Sequence, residues 1–406
     1  MNLQGLSLDQ APPYRVPMSF FATAMLYLVI GSLYILFFGV DEVFLRGSGL
    51  YYMAIHLFAL GVVGNTIIGA SFQMLPVLAG ATYWRVELLW AIVYLSFQAG
   101  VLSLIFAFMS FDVLLFKLAS IFLIVGISTF TISTLLALKS SSYKSSSING
   151  MRISALFFMA TMLLGVGMVY QLYLGGEFGF RELILSHITF GGFGWMFLLI
   201  LSVSFWVVPM FYVTSEYSRF CTVFVPLVSV VAILGIFIDS WFFYLLSIPL
   251  GAYTLTTLRK YRSRKRKIKD GVVNLWYIGS LSGFFLFLLL LASAFVNLPE
   301  VFMGVMFLFG FVLAIIFAML FKIVPFLTWF HLSFQGYFDA PTMGEIVPSN
   351  VIKTASYMYA LMFVMMVVGF FFKSFLYPAF LLLGVLGFVM LHYVVKSYRI
   401  YKRFTA

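Results

Sequence analysis

The chain has 406 residues, 63% of them hydrophobic and 9% charged, with a mean hydropathy of +1.10. Soluble domains carry about 25% charged residues, so the composition excludes a soluble globule and leaves an integral membrane protein. The net charge of +11 has to be placed along the chain before it says anything about partners.

Each crossing of the hydrocarbon core needs roughly 20 apolar residues. In chain order, twelve such stretches predict transmembrane helices, over 18–40, 51–80, 86–110, 112–138, 153–174, 183–213, 220–238, 240–258, 275–296, 299–330, 355–372 and 375–395. The second, sixth and tenth are the longest. Residues 1–17 are polar, acidic at Asp9 and broken by Pro12, Pro13 and Pro17, so they do not read as a cleavable signal. The lone Cys221 excludes an intrachain disulfide and any cysteine-held iron–sulfur or zinc site.

The basic residues sort to one side of this topology. If both termini face the cytoplasm, the inner segments hold Arg15, Arg85, Lys139, Lys144, Arg152, Arg219, the 259–269 run, Lys353, Lys396, Arg399, Lys402 and Arg403. The outer segments keep only Arg46, Arg181 and Lys373. That asymmetry predicts a cytoplasmic, inner-membrane placement with both ends inside. The 259–269 run is then expected to signal topology and to touch anionic lipid. No nucleic-acid partner is expected, because Tyr261 is the only aromatic residue in that run.

Three stretches repeat one pattern, a Gly fifteen residues before a Pro: Gly61 to Pro76, Gly194 to Pro209 and Gly310 to Pro325. These lie on the second, sixth and tenth spans, so the chain divides into three four-helix blocks, 1–148, 149–270 and 271–406, within a single all-α transmembrane domain. His56 and His187 stand twenty and twenty-two residues before their prolines, and Met303 matches the register of His187. Even-numbered blocks keep the three helices parallel, so these side chains share a depth near the outer leaflet. A histidine in hydrocarbon needs a partner for each ring nitrogen, and it reads either as a packed, hydrogen-bonded residue or as a haem-iron ligand. The glycines admit either a neighbouring helix or a flat ligand.

The remaining candidates lie at the inner end. His331 leads into the 332–353 loop and is expected to be solvated or lipid-facing, as is His392 near the interface. Lys322 stands three residues before Pro325, where the other copies have Gln73 and Trp206, and is expected to snorkel to the headgroups, with proton or quinone contact second.

The stretch His187-Ile188-Thr189-Phe190-Gly191-Gly192-Phe193-Gly194-Trp195, ending in Val208-Pro209, resembles the haem-ligand helix of the catalytic subunit of cbb3-type haem–copper oxidases and nitric oxide reductases. Twelve-span haem proteins of the nitric-oxide-response type are a looser match. The resemblance implies twelve spans in three pseudo-equivalent blocks, and a haem. Thr189 stands where that family has its second histidine, and the seventh span has no histidine at all. No copper and no terminal oxidase activity are therefore expected.

What survives is one b-type haem, with His56 and His187 as candidate axial ligands, Met303 as substitute, and Gly61 and Gly194 as places of close approach. A closed bis-histidine haem suits electron transfer or gas response, with a redox protein or another membrane subunit as partner. The contrasting readings are a cofactor-free scaffold or assembly subunit, and a transporter of a metal or small solute.

Overall fold

A backbone in hydrocarbon must satisfy its own N–H and C=O groups, which leaves helices or closed barrels as spanning structures. The computed structural model takes the first course. It describes residues 11–141, 144–174, 180–265, 267 and 270–406; Asp9 and, in the basic run, Arg266 and Lys269 lie outside the described residues.

The main helices are α1 (Arg15–Phe38), α2 (Gly49–Val77), α3 (Val86–Ser110), α4 (Val113–Ser140), α5 (Ser146–Tyr173), α6 (Arg181–Tyr212), α7 (Phe220–Gly235), α8 (Ser247–Ser263), α9 (Gly271–Ser293), α10 (Glu300–Phe334), α11 (Ser349–Phe371) and α12 (Lys373–Thr405). Among the described residues, ten of these are long and apolar enough to cross a membrane, so the protein is an all-helical integral membrane protein.

The two that fall short are α7 and α8, where sequence predicts spans over 220–238 and 240–258. The 16 residues of α7 would rise only about 24 Å as an ideal helix, against a hydrocarbon core of about 30 Å. It stops at Gly235, onto which the Phe242 ring packs, and the Asp239 side chain accepts from the Trp241 N–H at 2.8 Å to turn the chain back. In α8 the last turn is spent on Lys260 and Arg262 rather than on apolar residues. A second difference is α12, whose 33 residues make it as long as the three repeat helices because the basic tail continues the helix.

Hairpin neighbours pack along the chain, α3 with α4, α5 with α6 and α11 with α12, and α1 lies against α12 so that the two ends of the chain meet. The most buried spans are α2, α6 and α10, each with 72% of its apolar window inside the protein, against 28–50% for the other seven. The three helices that carry the Gly–Pro pattern thus form the centre. They also border a cavity of about 110 Å³ on the proline side of the bundle.

Each central helix changes from α to π geometry nineteen residues before its proline, over Leu57–Gly64, Phe190–Phe197 and Met306–Val312. Gly61, Gly194 and Gly310 are each the fifth residue of their π segment. A Cβ on Gly61 would meet the Tyr27 ring of α1 at 3.0 Å, one on Gly194 the Phe157 ring of α5 at 2.6 Å, and one on Gly310 the Phe363 ring of α11 at 2.6 Å. The room these glycines make is taken by aromatic rings of neighbouring helices.

Beyond the prolines the copies diverge. After Pro76 and Pro209 the helix closes with a left-handed residue four positions on, Gly80 (φ 58°) and Val213 (φ 52°). After Pro325 it continues to Phe334 and so carries His331.

These contacts predict that Gly194→Ala lowers the thermal unfolding midpoint in detergent, at a cost of about 1–3 kcal/mol of overpacking against Phe157. Gly304→Ala in α10, where nothing lies within 4 Å of the added carbon, should leave the midpoint unchanged or raise it.

Candidate functional site

Ser48 starts α2 by accepting the Tyr51 N–H at 3.0 Å, and this cap places His56 two turns into the helix. His187 sits at the matching end of α6. The two rings come together, with centroids 6.1 Å apart and planes inclined by 36°.

Each imidazole is fixed through the same nitrogen. His56 Nδ1 lies 2.8 Å from the Tyr52 carbonyl on its own helix, and His187 Nδ1 lies 3.0 Å from the Thr161 carbonyl on α5. A carbonyl oxygen only accepts, so both Nδ1 atoms carry the proton and, in the neutral rings, both Nε2 atoms present a lone pair. An Nδ1–H to a backbone carbonyl is the outer-shell partner that metal-bound histidines commonly have.

The seat of His187 is built from α5. Thr161 supplies the carbonyl, and Gly165 one turn later leaves room for the ring, since a Cβ there would stand 3.2 Å from His187 Cε1. His56 is held from α3, where Phe108 stacks on it at 4.9 Å and 26°. Phe116 of α4 meets Phe108 edge-on at 5.1 Å and lies tilted by 34° to Tyr173 of α5 at 5.3 Å, so aromatic rings continue from His56 to α5. The π segments begin directly after this site, at Leu57 and Phe190.

Met303 lies in the first turns of α10 with a half-buried side chain packed against the apolar core. Gly61 and Gly194 serve helix packing rather than an approach to the imidazoles. Among the described residues, no three His, Cys, Asp or Glu side chains gather as a metal cluster.

No protein-family model matches the chain, and no curated protein matches it significantly.

The inner-end candidates occupy different surroundings from those expected. Lys322 does not snorkel freely, because its Nζ lies 2.6 Å from Asp270 Oδ2. The other oxygen of that carboxylate caps α9 through the Val272 N–H at 3.0 Å, so Asp270 joins the third central helix to its neighbour. His331 is not solvated. It is 6% exposed, covered edge-on by Tyr14 at 5.5 Å and by Tyr401 at 6.3 Å, and its Nε2 is buried without a partner among the described residues. Tyr14 in turn stacks on Tyr401 at 4.2 Å and hydrogen-bonds Thr328 at 2.7 Å, so the two ends of the chain together cover α10.

His392 is exposed, as expected. The 332–353 loop is organised, with Thr342 and Glu345 forming a capping box and Lys396 donating to the Ile346 carbonyl at 2.9 Å.

His331→Phe should raise the thermal unfolding midpoint. The substitution keeps a ring between Tyr14 and Tyr401 and removes an unpaired buried nitrogen that costs about 1–3 kcal/mol. A lowered midpoint would show that Nε2 has a partner in the membrane.

Proposed function

We propose that this protein is a b-type haem protein of the cytoplasmic membrane, built on the plan of haem–copper oxidase subunit I and working in electron transfer or gas response. The observation that carries this reading is the His56–His187 pair, 6.1 Å between ring centroids with both Nδ1 atoms on carbonyl oxygens. His56 and His187 are the residues that would hold a haem, each through the Nε2 that its Nδ1–carbonyl contact leaves as a lone pair.

A haem held by these two residues would supply one-electron transfer. The chain's own contribution is positional. The Tyr52 and Thr161 carbonyls hold the tautomer that leaves Nε2 free, Gly165 seats the second ring, and Phe108, backed by Phe116, packs on the first. Met303 would replace a ligand only after a rearrangement that turned one imidazole away.

The same reading assigns twelve spans in three blocks, 1–148, 149–270 and 271–406, with α7 and α8 as short seventh and eighth spans. It is supported by the π segment that recurs at one distance from Pro76, Pro209 and Pro325. The basic residues around Arg15, Arg85, Lys260 and Lys396 share the end where the termini meet, which supports a cytoplasmic location for both termini and anionic lipid at the 259–269 run. A partner redox protein or membrane subunit would complete the electron path. The second reading, a cofactor-free subunit, is favoured by the aromatic rings that fill the space at Gly61, Gly194 and Gly310.

A visible spectrum of the detergent-purified protein, oxidised and dithionite-reduced, separates the two. The haem reading expects a low-spin spectrum that His56→Ala and His187→Ala each abolish or convert to high spin, while His392→Ala leaves it intact. Gly165→Leu should reproduce the His187→Ala result although it removes no donor, because it displaces the ring from its seat. Protein expressed with haem supplied and still lacking a Soret band rejects this reading. Reporter fusions after residues 45 and 265 should report opposite compartments, and the same compartment for both would overturn the topology.

A further inference from the structure

The cavity between the central helices is built by corresponding positions of the three copies. Ala70, Val203 and Met319 line it six residues before Pro76, Pro209 and Pro325, and Met74, Val207 and Ile323 line it two residues before them. One face of each helix therefore turns to a common space, on the opposite side of the π segments from the imidazole pair. Its volume, about 110 Å³, is below the roughly 150 Å³ of an engineered apolar cavity that binds benzene. A five- or six-membered ring is the scale of guest it would hold.

The lining carries no ionisable side chain, and a charge placed there would lose its hydration with nothing to replace it. Four of its hydroxyls already have partners. Thr66 donates to the Val62 carbonyl at 2.8 Å, Ser154 donates to the Trp195 carbonyl at 3.0 Å, Ser204 pairs with Tyr253 at 2.7 Å and Thr134 with Tyr83 at 3.1 Å. Trp276 of α9 is different. It lines the same cavity, is 1% exposed, and its indole N–H is buried with no acceptor among the described residues. A buried donor left unpaired beside four paired hydroxyls is a hydrogen bond open to a guest.

Gln73 adds to this. It stands on α2 about 20° around the helix from the lining residue Thr66, and both polar atoms of its buried amide are without partners among the described residues. The half-buried Ser71, Val203 and Met319 in the wall leave a way in for a molecule dissolved in the bilayer.

We propose that the cavity between α2, α6 and α10 binds a small uncharged molecule whose compact apolar ring carries a carbonyl oxygen that accepts the Trp276 indole N–H. The site needs neither the histidines nor a haem, so it stands or falls separately from the haem reading.

Cyclopentanone and methylenecyclopentane, which share a ring and differ in the acceptor, test it on full-length protein in detergent by saturation-transfer NMR. The ketone should bind about five- to ten-fold more tightly than the hydrocarbon to the wild type. Trp276→Phe, which keeps an aromatic ring and deletes the N–H, should reduce that preference to about one. Ala70→Phe, which fills the cavity, should abolish binding of both. Equal affinity of the wild type for the two probes, or a ketone preference that survives in Trp276→Phe, overturns the proposal. Should Ala70→Phe fail to fold, by circular dichroism and thermal unfolding, the Trp276→Phe comparison decides alone.

Discussion

The close approach of outer helices to α2, α6 and α10 at Gly61, Gly194 and Gly310 is the contact on which the rest of the bundle depends. Lipid tails are as apolar as leucine side chains, so helices in a bilayer gain little from burial as such and associate through fit. A side chain at any of the three glycines would stand within 3.0 Å of a ring from α1, α5 or α11. Removing the Cβ is what lets those rings seat, and the π geometry around each glycine presents that gap to the same depth of the bundle.

Two different environments follow from that arrangement, one on each side of the π segments. Toward the starts of α2 and α6 the helices bring His56 and His187 together, with Phe108 stacked on one ring and Gly165 under the other. Toward the prolines α2, α6 and α10 border a cavity walled by side chains at corresponding positions. The first environment offers two lone pairs to a metal, and the second offers a donor to a neutral guest. Outside both environments, Lys322 of α10 pairs with Asp270 at the start of α9, and Lys260 near the end of α8 donates to the Ser215 and Glu216 carbonyls at 2.8 Å.

The third copy of the repeat shows how one pattern takes on different work. Pro76 and Pro209 sit one turn from a left-handed stop, whereas α10 runs on past Pro325 for nine more residues. That extension gives the ends of the chain something to close over, Tyr14 and Tyr401 packing on His331. In the same copy the ligand-type residue is Met303, half-buried against the apolar core.

Much of this is legible in the sequence. Ten of the predicted spans follow from apolar runs alone, because hydrocarbon thickness sets a minimum length that composition reveals. The centrality of α2, α6 and α10 follows from the register of three Gly–Pro pairs, since a repeated spacing on apolar helices reflects a repeated contact. The two histidines were identifiable as rare polar residues at one depth. Tertiary structure decided what their nitrogens do, because the Thr161 carbonyl that fixes His187 lies 26 residues away in sequence, on another helix. It also decided that Lys322 pairs with Asp270, 52 positions earlier, and that His331 is covered by residues from both ends of the chain. Hydropathy records how well a side chain tolerates lipid. It carries no record of which distant carbonyl, carboxylate or ring will be brought to it, because that is set by helix packing.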